Sequence, residues 1–144
     1  MANVLSNGIG ESAGDLLATC SPLIHSGTVW WVDSATGTDG ASPSGRSASA
    51  PLATLAQAVT NASSHDIIVF KSGHTQTLTA AQTLSKSLTL VGLGSSGGLP
   101  TVKFTNNQAA ANLFTISGAD VQLRNIWIEE NAQACATARV TVTG

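Results

Sequence analysis

The sequence predicts a mainly β domain, a short parallel β-helix of the solenoid kind, entered through an extended N-terminal arm. Three observations predict it. The 144 residues are one domain's worth of chain. Charged residues are 10%, against about 25% in an ordinary soluble domain, while Ala, Ser and Thr number 21, 17 and 17. So small and uncharged a chain suits strands and turns and disfavours long solvated helices. Finally, many short β-branched runs recur between Gly, Ser, Asn and Asp turns. The step from Ile67 to Leu88 nearly equals the step from Val121 to Val140. A recurrence of roughly 20 residues fits stacked coils, none able to bury its face alone. Asn-Gly hairpin dipeptides are missing between the runs, which disfavours a sandwich.

Residues 1–27 sustain neither a period of 2 nor one of 3.6 and carry Gly8, Gly10, Gly14, Pro22 and Gly27. They cannot close a core and read as an arm. The apolar points Val4, Leu5, Ile9, Leu16 and Leu17 suggest that it docks onto its own domain or a neighbouring subunit. Residues 28–144 form the body. Thr28–Asp33 reads as a strand, and its neighbours Trp30 and Trp31 must face opposite ways. One of them needs cover from the following helix, from another layer or from another subunit. Residues 34–50 read as a polar loop. The helix follows near 51–62, with Pro51 at its first position and Leu52, Leu55, Val59 and Ala62 as its apolar stripe. Strands are then expected at 66–70, 77–78, 87–91, 101–104, 113–116, 121–123, 126–128 and 139–142.

Several functions are disfavoured. A net charge of −2 with six Lys and Arg cannot make a broad phosphate-binding face, so no nucleic acid is expected as partner. No apolar run approaches the roughly 18 residues that a membrane span needs, so none is expected. The stretch Met1–Leu5 does not read as a secretory leader. Cys20 and Cys135 read as two buried thiols, though they could pair. With no CxxC, and with His25, His65 and His74 outside ligand spacing, no metal site or cofactor is expected. Each histidine reads as a turn or surface residue. Asp33 and Asp39 read as turn chemistry rather than a calcium loop. The glycine-rich run 92–98 lacks the Lys-Ser/Thr of a phosphate loop and reads as a loop between coils.

The order Val32-Asp33, Gly37-Thr38-Asp39-Gly40, Ser49–Val59, His65–Phe70 and Gly73-His74 resembles the N-terminal part of right-handed parallel β-helix proteins of the pectin-lyase-like superfamily. Ser87–Gly92 and Val121–Ile126 resemble later coils. The resemblance covers residues 28–144 and implies a right-handed parallel β-helix whose helix caps one end. It also implies kinship with polysaccharide lyases, phage tailspikes and other phage virion proteins. Where family members often carry Gly before the first-coil Asp, this chain has His65. That matters if the turn needs a positive φ. After about four coils an uncovered last coil would expose an apolar cross-section, which a longer chain or a partner subunit would cover.

Catalysis is the minority expectation. Glu129 and Glu130 could serve as acid or ligand, but Arg124 on the neighbouring strand is a poor base, and no catalytic residue is assigned. The charge-poor body and apolar arm point to assembly. The first expectation is a bacteriophage virion structural protein, a capsid decoration (cement) protein assembled in the host bacterial cytoplasm. Its partners would be the major capsid protein or other virion proteins, and it would be trimeric by analogy. Val4, Leu5, Ile9, Leu16, Leu17, Trp30, Trp31 and Trp127 are its candidate contacts. The alternatives are the virion-proximal part of a tail fibre or tailspike, and a polysaccharide-binding or -cleaving protein.

Overall fold

The computed structural model describes residues 27–40, 45–107, 112–130 and 140–143. They are mainly β, with parallel sheets. The strands are β1 (Val29–Val32), β2 (Ile67–Phe70), β3 (Thr75–Leu78), β4 (Gln82–Leu84), β5 (Leu88–Gly92), β6 (Ser95–Ser96), β7 (Leu99–Pro100), β8 (Lys103–Asn106), β9 (Phe114–Ile116), β10 (Val121–Arg124), β11 (Trp127–Glu130) and β12 (Val140–Val142). One helix, α1 (Leu55–Asn61), lies between β1 and β2.

Three parallel sheets carry the architecture. The first has the order β1-β2-β5-β10, the second β3-β8-β11 and the third β4-β9-β12. From β2 onward the chain visits first, second and third sheet in that order and repeats the cycle. Parallel neighbours need a long connection between them, and here the connection is the other two strands of each cycle. The register brings Ile68 beside Leu90 and Leu90 beside Leu123. Phe104 stands beside Ile128, and Phe114 beside Val140.

The inward columns of all three sheets meet in one core of buried residues that includes Ile68, Leu84, Leu90 and Leu113. Phe70, Phe104 and Phe114 run through it, with ring centroids 5.1 and 5.8 Å apart in edge-to-face contact. Helix α1 adds Leu55 and Ala58 to this core.

Four expectations are corrected. The helix begins at Leu55 rather than near Pro51. Leu52 is held extended instead: its N–H donates to the Trp31 carbonyl, and its carbonyl accepts from Asp33 N–H. Thr54 is the N-cap and accepts from Gln57 N–H. The step from Val121 to Val140 is not a repeat, because the two sit in different sheets. The stacked partners are Ile67 with Thr89, and Leu88 with Val121, so the second cycle is longer than the first. The 92–98 run is no plain loop: β6 and β7 pair antiparallel across Gly97 and Gly98, both at positive φ. Finally, His74 is fully buried beside Phe70 and Phe104, not a surface residue.

Candidate functional site

The polar chemistry of the described residues gathers where β1, α1 and the first cycle meet. Asp66 ends the turn before β2 and is 5% exposed. Its carboxylate accepts from Thr28 N–H at 2.6 Å, Trp30 Nε1–H at 2.9 Å and Ser63 N–H at 2.8 Å. Burial is the largest single influence and pushes this carboxyl up. The donors Ser63, Trp30 and Thr28 overcome it and leave the carboxyl below the usual aspartate range. One side chain thus ties the strand before the helix to the strand after it.

Asp33 is the second fastener. It accepts from Ala35 N–H and the Thr36 hydroxyl, and Lys71 Nζ stands 3.1 Å away. The Thr36 hydroxyl is the main reason its carboxyl lies below the usual range. Asp39 reaches across the loop to Ala53 N–H, Thr54 N–H and the Thr54 hydroxyl, and so positions the start of α1. The turn reading of Asp33 therefore holds, whereas Asp39 works at long range, on the residues that open the helix.

His74 joins this cluster from inside. Its Nδ1 accepts from Ser34 N–H at 2.9 Å, while the Ser34 hydroxyl accepts from Thr75 N–H. The neutral ring therefore carries its proton on Nε2, which makes no hydrogen bond of good geometry. Burial pushes the imidazole below the ordinary histidine range. The charge of Asp33 and the nearby Gln76 side chain act the other way. Lys86 closes the helix's far end, donating from Nζ to the carbonyls of Val59, Thr60 and Ala62.

The expected contact residues fall in different places. Trp30 stands in register with Ile68 and packs on the core, with the Arg46 guanidinium 5.1 Å from its ring centroid. Trp31 pairs with Val69 on the opposite face. α1 lies on the core side with Trp30, so the following helix is not what covers Trp31. Trp127 is 40% exposed on the outer face of the second sheet, and Lys103 Nζ lies 5.9 Å from its ring centroid. Val4, Leu5, Ile9, Leu16, Leu17, Cys20 and Cys135 lie outside the described residues.

The candidate acid and base groups are not brought together. Glu129 pairs with Lys103 at 2.9 Å on the second sheet, and Glu130 follows on the alternate face of that strand. Arg124 is exposed at the end of β10 in the first sheet. Among the described residues no group of three or more His, Cys, Asp or Glu could hold a metal ion. No helix among them is long and apolar enough to cross a membrane.

Sequence reasoning missed the threefold grip of Asp66, the core position of His74 and the cap from Lys86. Each depends on partners far away along the chain. The available signal was a carboxylate and an imidazole flanking a strongly apolar strand at 66–74. Comparison with protein-family models, with curated proteins and with solved structures finds no match to this chain.

Proposed function

We propose that the chain is a structural component of a bacteriophage virion, a capsid decoration protein. In this reading its body is a right-handed parallel β-helix, and residues 1–27 dock it to the major capsid protein or another virion protein. One observation carries the reading. The stack is closed by α1 at one end, while at the other β10, β11 and β12 are the edge strands of their sheets. Beneath those edges Val121, Leu123, Ile126, Ile128 and Val140 are only partly buried. Such an end is completed by further polypeptide. A body of this form suits assembly, and the trimer is taken by analogy with phage β-helix proteins. Capsids lacking the protein test this: the full chain binds them and a chain without residues 1–27 does not. Equal binding by both sinks the docking role of the arm.

The same edges favour a second reading, the virion-proximal part of a tail fibre or tailspike. There the stack would continue in register as further coils. Localisation by labelled antibody on intact particles separates the two, with label on the shell for the first reading and on the tail for the second.

A further inference from the structure

The outer faces of the three parallel sheets differ in chemistry. On the second sheet, Thr75 and Lys103 share the outward column that ends in Trp127, and Thr77 and Thr105 the one that ends in Glu129. On the third sheet the outward column is Thr83, Thr115 and Thr141. These surfaces are hydroxylic or charged, apart from Trp127. The first sheet is otherwise. Trp31, Val69 and Val91 stand in one outward column that ends in Arg124, and Val29, Ile67 and Thr89 in the column beside it. None of the apolar residues in these two columns is among those packed on the core. The face is also dry at its centre, where Thr89 is 7% exposed. Apolar surface gathered on one face of three, opposite the core, marks a contact surface.

We propose that the outer face of the first sheet is covered by the chain's own N-terminal segment, residues 1–26, with Leu16 and Leu17 among the side chains laid against Trp31, Val69 and Val91. The segment leads into β1, an edge strand of this sheet. Its last link is fixed in place. Thr28 N–H is held by Asp66, and a side chain at Gly27 would collide with the His65 carbonyl. The segment therefore starts from the rim of the apolar face. The face is four strands wide, roughly 14 Å at the usual strand spacing. A segment of this length spans up to roughly 85 Å when extended, ample to cross it. The segment carries Val4, Leu5, Ile9, Leu16 and Leu17 and no Lys or Arg, and its acidic side chains, Glu11 and Asp15, are opposite in sign to Arg124. This inference rests on the face and the segment, not on the virion reading; it places the segment on its own body in the free chain, so docking to a virion protein would use the residues ahead of Leu16 or displace the segment from the face.

Glutamyl endopeptidase tests it on the full chain. Glu11 is the one glutamate of the segment, and the others are Glu129 and Glu130 in β11. If the segment lies on the face, cleavage after Glu11 is about tenfold or more slower than in the free peptide 1–27, because proteolysis follows the open population. Val69→Asp with Val91→Asp brings it to the peptide rate, while the Leu90 amide stays protected from exchange and the solution mass is unchanged. Val69→Thr with Val91→Thr, the residue type already at position 89, keeps the strands and gives an intermediate rate. Should the aspartate variant fail to fold, the threonine variant decides: faster cleavage supports the proposal and an unchanged rate overturns it. Cleavage of the parent chain at the peptide rate overturns it. So does protection that survives the aspartates in a folded chain. Protection lost on dilution together with a fall in mass also overturns it, and assigns the face to a second copy.

Discussion

At the end where the chain enters the stack, α1 lays Leu55 and Ala58 over the core, both fully buried. Its first turn is held by Asp39 and Gln76, and its last carbonyls by Lys86. At the other end, Ile126, Ile128 and Val140 reach the same core only partly buried, and Val142 is 69% exposed. Both ends terminate one repeating arrangement. Parallel sheets that add one strand per cycle carry no stopping signal in their interior. The stop at the first end is made by residues that do not repeat: a helix, the Asp39 carboxylate, the Gln76 amide and a lysine. This difference predicts where stability resides and where association occurs.

The largest expected effect compares matched truncations at the two ends. Leu55→Ala removes a fully buried side chain from a closed site and lowers unfolding free energy by about 2–5 kcal/mol. Ile128→Ala, at a partly solvated site, costs about 1 kcal/mol, because less apolar area leaves water there on folding. Urea midpoints of the two variants measure this. Equal losses would mean that the second end is as well covered as the first.

Next is the carboxylate that ties β1 to β2. Asp66→Ala strands three donors, and hydrogen bonds to a charged group contribute about 1.5–3 kcal/mol each when one partner is removed from a buried site. The losses are not additive, so a total of about 3 kcal/mol is expected in the same urea assay. Acid should show this end failing in two stages. His74 is held below the ordinary histidine range, so the unfolded chain takes its proton first. Stability is full above about pH 6.5 and declines below it. Asp33 and Asp66 are held below the ordinary aspartate range. Their contribution is present above about pH 4 and is lost as the pH falls through their depressed values. His74→Gln should remove the first stage from a stability-versus-pH curve and leave the second. A curve of unchanged shape would show that His74 is not the group responsible.

Most of the strand framework was legible because its signal is local. Runs such as Asp66–Phe70 and Ser87–Val91 carry β-branched residues bounded by turn residues, and the strands lie within a few residues of where those runs stand. The opposed facing of Trp30 and Trp31 followed from strand alternation alone. What was hidden depends on partners distant in sequence. Pro51 and Leu52 satisfy the local rule for a helix start, yet Leu52 bonds to Trp31 and Asp33 across the loop, and this tertiary pairing overrides the local preference. The true repeat was masked by the β6–β7 hairpin, which lengthens one cycle and breaks the even spacing. The His65 question is answered by its φ of 73°, a left-handed turn that glycine would adopt freely.

A smaller effect is expected at the lysine cap. Lys86→Met keeps the aliphatic stem and removes the three bonds to the last carbonyls of α1. A cation at a helix C-terminus contributes about 0.3–1 kcal/mol, so the urea midpoint should fall slightly, and less in high salt if the charge itself matters. A loss that ignores salt would point to the hydrogen bonds alone.

The smallest effect on stability belongs to the open end and is the most informative about function. Val142 is already in water, so Val142→Asp should change unfolding free energy by less than about 0.5 kcal/mol. Yet it places a charge on a strand that is the edge of its sheet among the described residues, and inward charge on an edge blocks pairing. If that edge joins another copy, light scattering should show the variant at a lower mass than the parent, with the same urea midpoint. If it joins a different protein, the mass stays constant and binding to that protein is lost. A variant that keeps both mass and binding would leave the third sheet's edge outside any interface. The contrast between the two ends would then be a matter of stability alone.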